Sequence, residues 1–178
     1  MRITAGKLRH RLIDMTNLET TRETQDKVRM AIFNMLGQYF DSGVCLDLFA
    51  GSGAMAIEAY SRGMDKIYIN DINIKALDVC KKNCKSLGIS DAIFTNYDYN
   101  IYSNNINQLF DLIILDPPYK MDDVEGILNS IMKNTKDNTI IVFEMANETV
   151  YPKNINGFSA IKDKKYGIKK VIIYKKVL

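Results

Sequence analysis

The chain has 178 residues, of which 25% are charged and 47% apolar, with a formal net charge of +3. At about 150 residues per domain this is one domain with at most a short appendage, and no apolar run approaches the roughly 18 residues a membrane span needs, so disordered, collagen-like and membrane classes are excluded. The start, Met1-Arg2-Ile3-Thr4-Ala5-Gly6-Lys7, has no apolar stretch of the kind that opens an exported protein, and a cytoplasmic location is expected.

In chain order, Val28, Ile32, Met35, Leu36 and Tyr39 recur at helical spacing and predict a helix from about Thr24 to Phe40. Residues 1–23 are then a basic N-terminal arm, and 24–178 a single domain. Val44 to Phe49 reads as a strand running into Ala50-Gly51-Ser52-Gly53, with a helix from Ala54 to Arg62 stopped by Gly63. Lys66–Asn70 is a second strand, Ile74 to Leu87 a helix closed by Gly88, and Ala92–Thr95 a third strand. Phe110–Leu115 is nearly all apolar, as a strand covered on both faces is. Val124 to Lys133 is helical and Thr139–Glu144 is a fifth strand. Ser159–Lys165 and Val171–Lys176 flank Tyr166-Gly167 as an antiparallel hairpin. Strands alternating with helices imply an α/β fold: a doubly wound, mostly parallel, seven-stranded Rossmann-like sheet, closed by antiparallel edge strands.

Scarce residues narrow the chemistry. A single His, His10 in the basic arm, argues against a His-built metal site or triad. Cys45, Cys80 and Cys84 are an odd number without an export signal, so they read as buried thiols rather than a disulfide framework or metal ligands. No metal is expected. The net charge conceals an asymmetry: +3 over residues 1–29, −7 over 30–150 and +7 over 151–178. Basic ends about an acidic centre suit a polyanion held by the flanks, although lysines of a terminal strand serve equally to solvate a sheet edge.

In an open α/β sheet, ligands bind beyond the carboxyl ends of the strands. Four of those ends carry an acid: Asp47 before Phe49-Ala50-Gly51-Ser52-Gly53, Asp71 with Ile72, Asp98, and Asp116. Gly51-Ser52-Gly53-Ala54-Met55-Ala56 with Asp71 twenty residues on matches a dinucleotide fingerprint, which taken alone permits a nicotinamide enzyme. The recurring acids favour S-adenosylmethionine instead, which has a ribose but no pyrophosphate and carries a sulfonium and an ammonium. Asp116-Pro117-Pro118-Tyr119 is the segment that decides. Two prolines withhold their N–H donors and leave carbonyls lining a slot. The Asp116 carboxylate and Pro117 carbonyl then accept the hydrogens of a nucleobase amine and aim its lone pair at a methyl group, while Tyr119 stacks on the extruded base.

With these motifs the chain resembles the class I S-adenosylmethionine-dependent methyltransferases that modify base amines, and among them the RsmD family of 16S ribosomal RNA guanine-N2 methyltransferases. The resemblance spans nearly the whole chain: the opening arm with Arg9 and Arg11, Arg22 to Asn34, Leu46 to Gly53 with Glu58-Ala59, Asp71, Asn83, Asp98, Asp116 to Tyr119, Glu144 and Tyr166-Gly167. Glu23 stands where that family has Pro, His10 where it has Gly, Asp71 where it has Glu, and Lys169 where it has Thr. The resemblance implies methylation of one guanosine of 16S ribosomal RNA within the small subunit, by a monomer or weak dimer. It also implies target-base contacts from Asp116, Pro117, Pro118 and Tyr119. Cofactor contacts would come from Asp47, Phe49, Ala50, Gly51, Ser52, Gly53, Asp71, Ile72 and Asp98, and RNA contacts from Lys7, Arg9, Arg11, Arg22 and Arg29. The alternatives are a DNA adenine-N6 or other nucleic-acid amino-group methyltransferase, a nicotinamide oxidoreductase, and a non-enzymatic RNA-binding assembly factor.

Overall fold

The computed structural model describes residues 1–18 and 25–177. Among these residues five α-helices and eight strands follow in the order α1 (Asp26–Met35), β1 (Val44–Asp47), α2 (Ala54–Ser61), β2 (Lys66–Asn70), α3 (Ile74–Ser86), β3 (Ile93–Thr95), α4 (Tyr99–Asn105), β4 (Phe110–Leu115), α5 (Val124–Ser130), β5 (Thr135–Ala146), β6 (Asn154–Ile155), β7 (Phe158–Tyr166) and β8 (Lys169–Lys176). They form one sheet in the order β3-β2-β1-β4-β5-β8-β7-β6. The chain moves outward from β1 to β3, then returns to add β4 and β5 on the other side, so strand order reverses between β1 and β4.

Strict alternation along the strands divides the core into two layers. Cys45, Ile67, Ile69, Leu112, Ile114, Val142, Val171 and Ile173 face α1–α3, packing with Ile32, Phe33, Ile57 and Cys80. Leu46, Ile113, Leu115, Ile141, Phe143, Ile172 and Tyr174 face the other way, against Tyr102 of α4 and Val124, Ile127 and Leu128 of α5.

Four features differ from the sequence expectation. The sheet has eight strands rather than seven, because the two-residue β6 pairs with the start of β7. The hairpin is not a pair of edge strands: β8 lies between β5 and β7, antiparallel to both, as its buried run Val171–Tyr174 requires. Helix α4 was not anticipated. The predicted Thr24–Phe40 helix is shorter, ending at Met35 with Leu36 as C-cap.

The arm packs onto the domain. Ile3 and Ile13 join the core layer of α1–α3. The Thr4 N–H donates to Glu58 Oε2 at 3.0 Å, the Lys7 N–H to the Ser61 carbonyl at 2.8 Å and the Leu8 N–H to Ser61 Oγ at 2.9 Å. Farther along, Asn83 Nδ2 donates both to the Asp14 carbonyl at 2.9 Å and to the Ser52 carbonyl at 3.0 Å, joining the arm to the loop after β1.

Candidate active site

The loop after β1 is shaped by its glycines. Gly51 and Gly53 have φ of 57° and 82°, left-handed values that suit glycine, and a Cβ on Gly53 would stand 3.2 Å from Cys80 Sγ. Gly53 is the N-cap of α2, so the first-turn amides of that helix open toward the carboxyl ends of the strands. Asp47, 1% exposed, lies beneath and accepts from the Ala56 N–H at 3.3 Å. At the end of β2, Asp71 takes the Gly51 N–H on Oδ2 at 2.9 Å and the Asn73 N–H on Oδ1 at 2.8 Å. The neighbouring Ile72 is exposed. Buried Asn70 fastens three strand ends together. It donates to the carbonyls of Leu48 and Tyr97 and accepts from the Thr95 hydroxyl and the Tyr97 N–H. Asp98 caps α4 through the Asn100 N–H at 2.9 Å. A glycine-bent loop flanked by carboxylates fits a nucleoside carrying a cationic tail.

Beside this loop, across the reversal point, β4 ends at Leu115 and delivers Asp116-Pro117-Pro118-Tyr119. Tyr119 is 53% exposed, consistent with a ring available for stacking. Leu115 pairs with Phe143 in the parallel β4–β5 register, so Asp116 and Glu144 follow side by side. Glu144 pairs with Val171, and Lys169 opens β8 two residues earlier. Alternation sends all three side chains to the face shared with Asp47. The Lys169 ammonium lies 3.2 Å from Asp116 Oδ1 and 2.5 Å from Glu144 Oε1. Side-chain exposures are 17% for Lys169 and Asp116 and 4% for Glu144. Burial alone would lower the Lys169 pKa, but the carboxylates of Asp116 and Glu144 outweigh it and hold it above its ordinary value. Together with Pro117, Pro118, Tyr119, Met121, Met145 and Thr149 these three residues line a pocket open to solvent.

The sequence reading did not place Glu144 or Lys169 in the site. A signal for Glu144 was present, since it closes an apolar strand with an acid as Asp47 closes β1. Lys169 stood in a lysine-rich run that reads as surface. The expectation of an RNA contact from Arg29 is corrected. Its side chain is 0% exposed, Nε donates to Glu58 Oε2 at 3.2 Å, and Nη2 bonds Asp26 Oδ1 at 2.9 Å and the Arg2 carbonyl. Glu58 also binds Arg62 at 3.0 Å, so Arg29 belongs to a buried ionic network joining arm, α1 and α2. Lys7, Arg9 and Arg11 are exposed, with Lys7 over the Tyr60 ring and Arg11 donating to the Ser86 carbonyl. Arg22 lies outside the described residues. Among the described residues no helix is long and apolar enough to cross a membrane, and no group of three His, Cys, Asp or Glu could hold a metal ion.

Solved structures share this architecture. Escherichia coli yhhF superposes with a TM-score of 0.85 at 26% identity, covering 99% of this chain and 97% of that one. A conserved hypothetical protein of Streptococcus pyogenes gives 0.78 at 37% identity over 84% and 95%. Among named relatives, ribosomal RNA small subunit methyltransferase D of Haemophilus influenzae is 30% identical, covering 98% of this chain and 93% of its own. Bacillus subtilis YlbH is 34% identical over 99% of both chains. Fold and site thus define a Rossmann-like methyltransferase. The family model described as conserved hypothetical protein 95 matches residues 1–175, and the chain belongs to that family, the RsmD family. Fold and relatives together imply S-adenosylmethionine as methyl donor.

Proposed function

We propose that the chain methylates the exocyclic N2 amine of a guanosine in 16S ribosomal RNA of the small subunit. The observation that carries this reading is the placement of Asp116-Pro117-Pro118-Tyr119 beside the reversal point, one strand from the glycine loop with Asp47. The relatives' printed names supply the ribosomal RNA. When bound, S-adenosylmethionine supplies a methyl group on a sulfonium. In this reading Asp47, the loop from Phe49 through Ala50, Gly51 and Ser52 to Gly53, Asp71, Ile72 and Asp98 hold that donor.

The residues of the slot do the rest. A base amine is a poor nucleophile because its lone pair is delocalised into the ring. Two acceptors, the Asp116 carboxylate and the Pro117 carbonyl, hold both N–H hydrogens and turn that lone pair outward, while Tyr119 stacks against the base. Pro118 keeps the turn extended. Positioning and electrostatics supply the acceleration, and the amine proton leaves through the carboxylate side of the slot to solvent. The arm residues Lys7, Arg9, Arg11 and Arg22 grip the RNA backbone.

The test is mass mapping of 16S RNA from cells with and without the protein, joined to methyl-transfer assays on 30S particles, naked ribosomal RNA and duplex DNA. A single N2-methylguanosine lost with the protein and restored in vitro is expected, with Asp116→Ala lowering turnover roughly 10²–10³-fold. Transfer to DNA alone would overturn the reading in favour of a DNA methyltransferase.

A further inference from the structure

The pocket beyond β4 and β5 contains more than the amine-binding slot requires. Asp116 and the Pro117 carbonyl suffice to hold an amine, yet Glu144 brings a second carboxylate that is 4% exposed, and Lys169 places an ammonium against both acids. The ammonium and Glu144 come from the antiparallel pair β5–β8, adjoining the strand that presents Asp116. The charged side chains lining the pocket are thus two carboxylates, which accept, and one ammonium, which donates.

Each base that carries an exocyclic amine offers a different pattern beside it. Starting from the amine, guanine presents donor, donor, acceptor: N2–H, N1–H and O6. Adenine presents a donor, the N1 acceptor and a bare C–H, and cytosine presents a donor followed by two acceptors. We propose that Glu144 and Lys169 determine base specificity, Glu144 accepting from guanine N1–H and Lys169 donating to O6 while Asp116 holds the N2 amine. This rests on the guanine-N2 reading above and adds the residues that enforce it.

An extruded base is read by hydrogen bonds along its pairing edge. An adenine N1 or cytosine N3 set against the Glu144 carboxylate would oppose two acceptors in a largely buried place, which disfavours those bases more than the loss of a bond alone. Without a base, the Lys169 ammonium lies against both acids and offsets part of their charge, so a like-charged pair survives at the bottom of the slot. Base entry moves it toward O6 by rotation about its flexible four-carbon stem.

The experiment uses the full chain and 30S particles reconstituted with 16S RNA bearing guanosine, 2,6-diaminopurine riboside or adenosine at the nucleotide where the wild-type protein places the methyl group. Diaminopurine keeps the N2 amine but reverses the neighbouring groups, with an acceptor at N1 and a donor at C6. The wild type is expected to prefer guanosine over diaminopurine by about 100-fold or more in kcat/KM. Glu144→Gln, whose amide can donate to N1, should cut that preference at least ~10-fold by losing rate on guanosine and gaining it on diaminopurine. Lys169→Met should lose rate on guanosine only, and Lys169→Arg should restore it. Equal wild-type rates on guanosine and diaminopurine overturn the inference and need no variant. It is likewise overturned if both variants slow the two substrates by one common factor, the signature of a merely structural role. A wild-type protein that leaves guanosine-bearing particles unmethylated fails the substrate reading itself, a distinct result.

Discussion

A buried cation and a half-buried one show how differently the same charge can be used. Arg29 and Lys169 both leave solvent to meet carboxylates. Arg29 has a fixed fork of donors that reaches the carboxylates of Glu58 and Asp26 and the Arg2 carbonyl, so it works as a structural tie. Removing it leaves Glu58 with an uncompensated share of buried charge, and breaking a buried pair in this way costs about 3 kcal/mol. Arg29→Met is therefore expected to lower Tm by roughly 6–12 °C for a chain of this size, measured by calorimetry, with no change in the salt dependence of RNA binding. A large fall in RNA affinity with unchanged Tm would return Arg29 to the RNA surface. Lys169 carries a prediction in pH. Its folded pKa stands above the ordinary 10.5 because Asp116 and Glu144 outweigh desolvation. The folded state thus holds the proton more tightly, and the stabilisation is complete below 10.5 and lost as pH rises through the folded pKa. The stability difference between wild type and Lys169→Met should be flat from pH 7 to 9 and shrink above about 10.5 in denaturant titrations. A difference that grows with pH would contradict the ion-paired assignment.

At the scale of elements, legibility followed the strength of the apolar pattern. Strands β1, β2 and β4 are short apolar runs with turn residues behind them, and β2 and β4 have the boundaries the sequence suggested. Helix α4, Tyr-Asn-Ile-Tyr-Ser-Asn-Asn, is built from poor helix formers. It forms because Asp98 caps it and Tyr102 is buried against α5 and β4, tertiary causes with little local trace. The front of β5, Thr135–Asn138, is polar and was invisible for the same reason. The position of β8 was legible but missed: four consecutive apolar residues mark an interior strand, whereas Lys162, Lys164 and Lys165 mark β7 as the one nearer the edge. For the site, the motifs after β1 and β4 were apparent because each is contiguous. The Asp116–Glu144–Lys169 cluster was not, since its members lie just past β4, on β5 and on β8 and meet only through register. The arm gives this scale its prediction. Gly6 has φ +83°, and a Cβ there would stand 1.8 Å from the Ser61 carbonyl oxygen, so no side chain fits without moving backbone. Gly6→Ala should lift residues 4–8 from α2 while leaving the sheet intact. Trypsin should then cut at Lys7, Arg9 or Arg11 at least ~10-fold faster than in the wild type with an unchanged far-UV spectrum. Unaltered cleavage would mean the arm is held elsewhere.

Over the whole molecule, the methyl-transfer slot and the arm's cations occupy opposite ends of the sheet. Asp116 follows the carboxyl end of β4, whereas the Lys7 main-chain N–H and the Arg11 guanidinium donate to the carbonyls of Ser61 and Ser86, the last residues of α2 and α3, and the Lys7 ammonium lies over the Tyr60 ring. Those helices run from the carboxyl edge of a parallel sheet back to its amino edge, so the two sites stand roughly one strand length, ~17–20 Å, apart. The net +7 of residues 151–178 is also spread out: Lys169 enters the slot, Lys170 is buried near the Tyr151 ring, and of the exposed lysines Lys162, Lys164 and Lys165 lie along β7, Lys175 on β8 and Lys153 just before β6. An RNA that touches both ends must carry phosphates well beyond the target nucleotide, as an assembled subunit does and a trinucleotide does not. Each exposed cation that meets a phosphate releases counterions and steepens the fall of affinity with salt. Replacing Lys7, Arg9 and Arg11 together by Ala should therefore raise KM for 30S particles at least ~10-fold and flatten the salt slope by about 2, with kcat unchanged because no reacting group is touched. On a trinucleotide with the target guanosine at its centre the same variant should match the wild type, since that RNA reaches only the slot. Equal losses on both substrates would place the arm's cations at the base-binding end and remove the argument for an RNA that spans both ends.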